Sequence, residues 1–183
     1  VGSEMCIRDR LMDAIRAHFC VADDAEITLE SNPGTLDFEK LAGYRRAGIN
    51  RLSMGLQSAC DKELAMLGRI HNFDTFVQNY KQARRAGFEN INVDLMSALP
   101  GQTVESWEQT LVKTAELAPE HLSAYSLIIE EGTPFWNWYG EDANQTLRPK
   151  EMLPLPSEED ERRMYARTRE ILEQYGYLSL IHI

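Results

Sequence analysis

The sequence predicts an α/β chain of parallel strands joined by helical crossovers, and three observations carry that prediction. Short β-rich runs alternate with helical patterns along the whole chain. Several helix patterns stop at a glycine directly ahead of a strand pattern. A weak internal echo, Arg45-Arg46-Ala47-Gly48-Ile49 and Arg84-Arg85-Ala86-Gly87-Phe88, twice ends a helix and launches a strand, 39 residues apart. That spacing suits one β/α unit with an extra helix. Right-handed crossovers between parallel strands then leave two architectures, an open doubly wound sheet or part of a (β/α) barrel. No glycine-rich dinucleotide loop is present, which favours the partial barrel.

The elements follow in order. Leu11, Ile15 and Phe19 share one helical face over 11–19. Glu26 to Glu30 reads as a strand closed by Asn32-Pro33-Gly34, and a helix follows over Asp37 to Ala47. The second strand is Ile49 to Gln57. A helix over Asp61 to Leu67 has Ser58 and Asp61 spaced as a capping pair, and another spans Thr75 to Ala86 behind an Asp74 cap. The third strand, Ile91 to Met96, leads through Leu99-Pro100-Gly101 to a helix over Glu105 to Leu117. His121 to Ile129 is a fourth strand, apolar enough to be buried on both faces. The stretch Glu130 to Pro156 is expected to be irregular, with four prolines and the aromatic run Phe135 to Tyr139. The last helix starts at the Ser157 cap, carries acidic residues in its first turn and ends near Gly176. Residues 1–10 show no periodicity, and 178–183 follow a helix end abruptly. Both are expected to be non-native scars flanking a domain over 11–177.

Nineteen basic against twenty-nine acidic residues leave a net charge of −10, and no basic stripe offsets it, so nucleic acid is not an expected partner. The acidity by itself serves solubility. Cys6, Cys20 and Cys60 match neither a disulfide framework nor a metal knuckle, which points to a reducing, cytoplasmic setting. No run approaches the ~18 apolar residues of a membrane span.

Three strand patterns end in a polar side chain able to bind or ionise: Glu30, Gln57 and Asp94. In a barrel such ends converge on one mouth. Arg69, shortly after, is a candidate partner whose guanidinium clamps carboxylates. Any one of these residues alone could simply cap its loop. Three on successive strands, with an arginine nearby, favour a binding site. His71 reads first as a solvated loop histidine, and the Phe135–Tyr139 run either pins its loop or forms a stacking surface.

Six ordered segments then resemble a known family: Glu30-Ser31-Asn32-Pro33-Gly34-Thr35, Arg51 to Ser58, Leu67-Gly68-Arg69-Ile70-His71, Asn92-Val93-Asp94-Leu95-Met96, Leu99-Pro100-Gly101-Gln102-Thr103 and Leu122-Ser123-Ala124-Tyr125. Together they resemble the oxygen-independent coproporphyrinogen oxidase-like group of radical S-adenosylmethionine (SAM) proteins. Gly68 to His71 and Ile129 to Phe135 look more like the heme chaperone branch than the true oxidase. The resemblance implies a partial (β/α) barrel of the radical SAM type. It also implies that Glu30, Gln57, Arg69 and Asp94 contact SAM and that Ile128 does so through its backbone.

It further implies a [4Fe-4S] cluster, heme or porphyrin as ligand, and heme-accepting proteins as partners. The function expected is heme delivery, and the alternative is oxidative decarboxylation of coproporphyrinogen III. The family's Cys-x3-Cys-x2-Cys loop and glycine-rich SAM loop are not found in these 183 residues. The chain alone is therefore expected to be inactive, with the first two β/α units and the part beyond Tyr177 missing. A cluster-free aldolase-like barrel is a further possibility, but no strand ends in a lysine suited to Schiff-base chemistry.

Overall fold

A computed structural model describes residues 2–141, 143 and 148–182. Val1, Ile183 and, within the stretch expected to be irregular, residues 142 and 144–147 lie outside the described residues. The order is α1 (Gly2–His18), β1 (Thr28–Ser31), α2 (Phe38–Arg46), β2 (Arg51–Gln57), α3 (Asp61–Met66), α4 (Phe73–Arg85), β3 (Asn90–Ser97), α5 (Val104–Ala115), β4 (His121–Ser126), α6 (Pro134–Tyr139) and α7 (Glu158–Gln174). A short 3-10 turn, Leu180–His182, follows. The four strands form one parallel sheet in chain order, β1-β2-β3-β4. Its register pairs Thr28 with Arg51 and Glu30 with Ser53.

Capping chemistry sets most helix starts. Asp37 accepts the Lys40 N–H ahead of α2, and Ser157 accepts the Asp160 N–H ahead of α7. Thr103 and Ser106 form a reciprocal capping box on α5. The internal echo is real structure: Gly48 (φ 96°) and Gly87 (φ 92°) follow α2 and α4 in the left-handed conformation that closes a helix.

The chain divides into two compact units. The first comprises 1–56, 73–94 and 119–122. Its core holds Leu41, Leu52, Met54, Phe76, Phe88 and Val93, none more than 1% exposed. Each such side chain contributes about 1.5–3 kcal/mol through burial. The second comprises 57–72, 95–118 and 123–183. Its core holds Leu64, Leu95, Leu99, Trp107, Leu111 and Met164.

Several local expectations are corrected. Helix α1 runs unbroken from Gly2, because residues 3–18 contain neither proline nor glycine to stop it. It buries Met12, whereas Leu11 and Phe19 are exposed. Helix α3 is capped at Cys60 with no side-chain bond, because the Ser58 hydroxyl is spent on Glu63. Strand β4 ends at Ser126 and grows more exposed along its length, as its place at the end of the sheet order dictates. The aromatic run is helical, with Thr133 capping α6 and Pro134 at its first turn. Beyond it, the Gly101 N–H donates to the Pro154 carbonyl at 2.8 Å. His71 is buried rather than solvated.

Candidate functional site

In the first unit, three strands bring polar groups to one place. Residues 92 and 94 of β3 lie on the same face, because side chains alternate along a strand. The Asn92 amide donates to Asp94 Oδ1 at 2.7 Å and to Ser53 Oγ at 2.7 Å. The Ser53 hydroxyl in turn donates to Asp94 Oδ2 at 3.0 Å. Ser53 and Asn92 are buried and Asp94 is half-buried. Both donors are neutral, so neither brings a cation to the carboxylate. Asp94 lies mid-strand, since β3 continues to Ser97. Glu30 pairs in register with Ser53 on β1. Its carboxylate is exposed and, among the described residues, makes no hydrogen bond or ion pair. Two acceptor-only carboxylates suit a ligand that offers hydroxyl or ammonium hydrogens.

In the second unit, Gln57 closes β2. It is 5% exposed and holds a left-handed backbone, φ 72°. For a non-glycine residue that costs of order 1–3 kcal/mol and survives only where the surroundings over-determine it. The Tyr125 hydroxyl donates to Gln57 Oε1 at 3.0 Å, which orients the amide and leaves its NH2 as the outward donor. Arg69 follows α3, half-buried, its N–H donating to the Leu64 carbonyl at 3.0 Å. Ile128 lies after β4 and is 77% exposed.

Glu30 and Asp94 thus belong to the first unit, and Gln57, Arg69 and Ile128 to the second. Ser53, Asn92 and Tyr125 were not singled out in the sequence. Asn92 and Asp94 carried a signal, two polar residues spaced by two within an apolar strand. Ser53 and Tyr125 carried none, because a cross-strand partner depends on register.

Cys20 is exposed just beyond α1 and Cys60 stands at the start of α3, both free. No group of three His, Cys, Asp or Glu side chains among the described residues could hold a metal ion. Nor is any helix among them long and apolar enough to cross a membrane.

Residues 4–113, more than half of the chain, match the radical SAM superfamily, and the chain belongs to it. Two curated relatives carry a more particular name. The chain is 39% identical over 168 residues to the heme chaperone HemW of Bacillus subtilis (strain 168), covering 91% of this chain and 42% of that protein. It is 44% identical over 125 residues to the heme chaperone HemW of Escherichia coli (strain K12), covering 68% of this chain and 33% of that protein. Among solved structures, coproporphyrinogen III oxidase (HemN) from Escherichia coli, a radical SAM enzyme, superposes with a TM-score of 0.79 at 30% identity. That match covers 95% of this chain and 38% of the oxidase. The chain therefore spans about two fifths or less of each of these proteins. It is a HemW-like radical SAM protein, and its four-stranded parallel α/β fold matches part of that structure.

Proposed function

We propose that this chain is the SAM-contacting part of a cytoplasmic radical SAM heme chaperone, which binds heme and hands it to acceptor proteins. The observation that carries the reading is identity of 39% and 44% to proteins named heme chaperones, against 30% to the oxidase structure. Glu30, Gln57, Arg69 and Asp94 bind SAM through their side chains, and Ile128 binds it through its backbone. SAM offers an α-ammonium and ribose hydroxyls to the Glu30 and Asp94 carboxylates. It offers a carboxylate to the Arg69 guanidinium, and the Gln57 NH2 donates to an acceptor on the ligand. This reading assigns none of the cluster's ligands to Cys6, Cys20 or Cys60.

The second reading, oxidative decarboxylation of coproporphyrinogen III, draws on the close superposition with the oxidase. The deciding experiment uses a longer protein that carries this chain together with a three-cysteine segment. It is incubated anaerobically with coproporphyrinogen III, SAM and a low-potential reductant, and heme binding is titrated in parallel. Heme is expected to bind and coproporphyrinogen III to persist. Protoporphyrinogen IX accumulating over many turnovers would overturn the chaperone reading and establish the oxidase.

A further inference from the structure

Glu63 is a carboxylate on α3 that is only 4% exposed, and no part of the SAM reading uses it. Three neutral donors from three segments of the second unit converge on it. The Ser58 hydroxyl donates to Oε2 at 2.5 Å, the Gln102 amide to Oε2 at 2.9 Å and the Ser106 hydroxyl to Oε1 at 2.8 Å. Ser58 follows β2, Gln102 lies in the turn after β3, and Ser106 stands in the first turn of α5. Burying a charge without a cation is costly, and a purely structural bridge would be cheaper if built from an amide or an apolar side chain. What a carboxylate adds is two oxygens that only accept, so every neighbour must arrive as a donor and in one orientation.

Ser58 is the residue after Gln57, the strained end of β2. Its Oγ is also fixed from the other side, by the Cys60 N–H at 2.9 Å. The next peptide is pinned too, because the Ala59 N–H donates to Thr110 Oγ1 at 3.1 Å. The left-handed backbone at Gln57 is thereby over-determined from its C-terminal side. From that backbone its amide reaches Tyr125. We infer that Glu63 is a positioning residue for Gln57: through Ser58 it holds the left-handed turn that aims the Gln57 amide at its ligand.

Two measurements test this, and only the second rests on the SAM reading. The first follows the Gln57 side-chain amide by NMR in the 183-residue chain, with Tyr125→Phe marking its position once the phenol bond is gone. In Glu63→Gln, and in the milder Ser58→Ala, that signal is expected to move toward the Tyr125→Phe position. The Trp107 indole N–H is expected to stay protected, so that the moved signal reads a local change and not loss of the fold. An unmoved Gln57 signal in folded variants overturns the inference. So does loss of the fold in both, which would make Glu63 a stability residue.

The second measures SAM binding by equilibrium dialysis in the longer protein. Glu63→Gln is expected to weaken it about tenfold alone and to add nothing in a Gln57→Ala background. An equal loss in both backgrounds overturns the inference. If the unsubstituted protein does not bind SAM, the SAM reading itself fails and the NMR measurement alone decides the role of Glu63.

Discussion

Asp94 receives a serine hydroxyl and an asparagine amide on its two oxygens, so its orientation is set by neutral groups. Replacing Ser53 with alanine removes one donor and orphans part of the Asn92 amide. A loss of about 1–2 kcal/mol is expected in urea unfolding, the scale of a buried hydrogen bond with one partner deleted. In the longer protein, Arg69→Ala should weaken SAM binding by about 1.5–3 kcal/mol by calorimetry, the value of a charge-assisted hydrogen bond. Glu120 behaves differently. Burial opposes its ionisation, but hydrogen bonds from the Arg84 guanidinium at 2.9 Å and the Ile91 N–H at 2.9 Å outweigh it, and its pKa lies below the ordinary carboxylate value. Its contribution to stability is therefore complete above that ordinary value and is lost as the pH falls through the lowered folded value. Thermal unfolding should show the gap between this chain and Glu120→Gln closing across that acidic window. Because the pair is partly exposed, added salt should narrow the gap at neutral pH as well.

Helix α5 depends on one side chain more than any other. Trp107 is fully buried, and its indole N–H donates to the Met164 carbonyl at 3.2 Å and to Thr168 Oγ1 at 2.9 Å on α7. Trp107→Ala should cost about 3–5 kcal/mol in denaturant unfolding, the range for deleting a large buried ring. Trp107→Phe, which keeps most of the volume but loses the donor, should cost clearly less. Most elements were legible in the sequence because their boundaries carry local chemistry: Ser157 as a cap, Gly48 and Gly87 as stops; the caps expected at Ser58 and Asp74 were not formed, since α3 is capped at Cys60 and α4 already begins at Phe73. The start of α1 was not legible, since nothing marks it except the want of a breaker. The exposure of β4 was not, since an apolar run reads the same at the centre and the edge of a sheet. At the site, Glu30, Gln57 and Asp94 stood out as polar residues in apolar strands. Glu63 did not, because within Asp61-Lys62-Glu63 it reads as one more residue of a solvated helix face, and only the fold turns it inward.

For the whole molecule, the three thiols and the strand edges set the expected behaviour. Anaerobic reconstitution with iron and sulfide should leave the chain without stoichiometric cluster absorption, since among the described residues no group of three His, Cys, Asp or Glu side chains could hold a metal ion. A spectrum of one [4Fe-4S] cluster per chain would overturn that. Among the described residues β1 and β4 each have a strand neighbour on one side only, and Tyr125 within β4 and Ile128 after it are exposed. Association that grows with concentration is therefore expected in sedimentation measurements. The order β1-β2-β3-β4 also bears on how the sheet comes into being. Each of β2, β3 and β4, on leaving the ribosome, meets its partner already synthesised and waiting at the growing edge, with only one crossover to close, such as the 19 residues, 32–50, between β1 and β2. Among these four, no strand has to be inserted between two earlier ones, so this stretch can assemble in step with translation, one strand at a time.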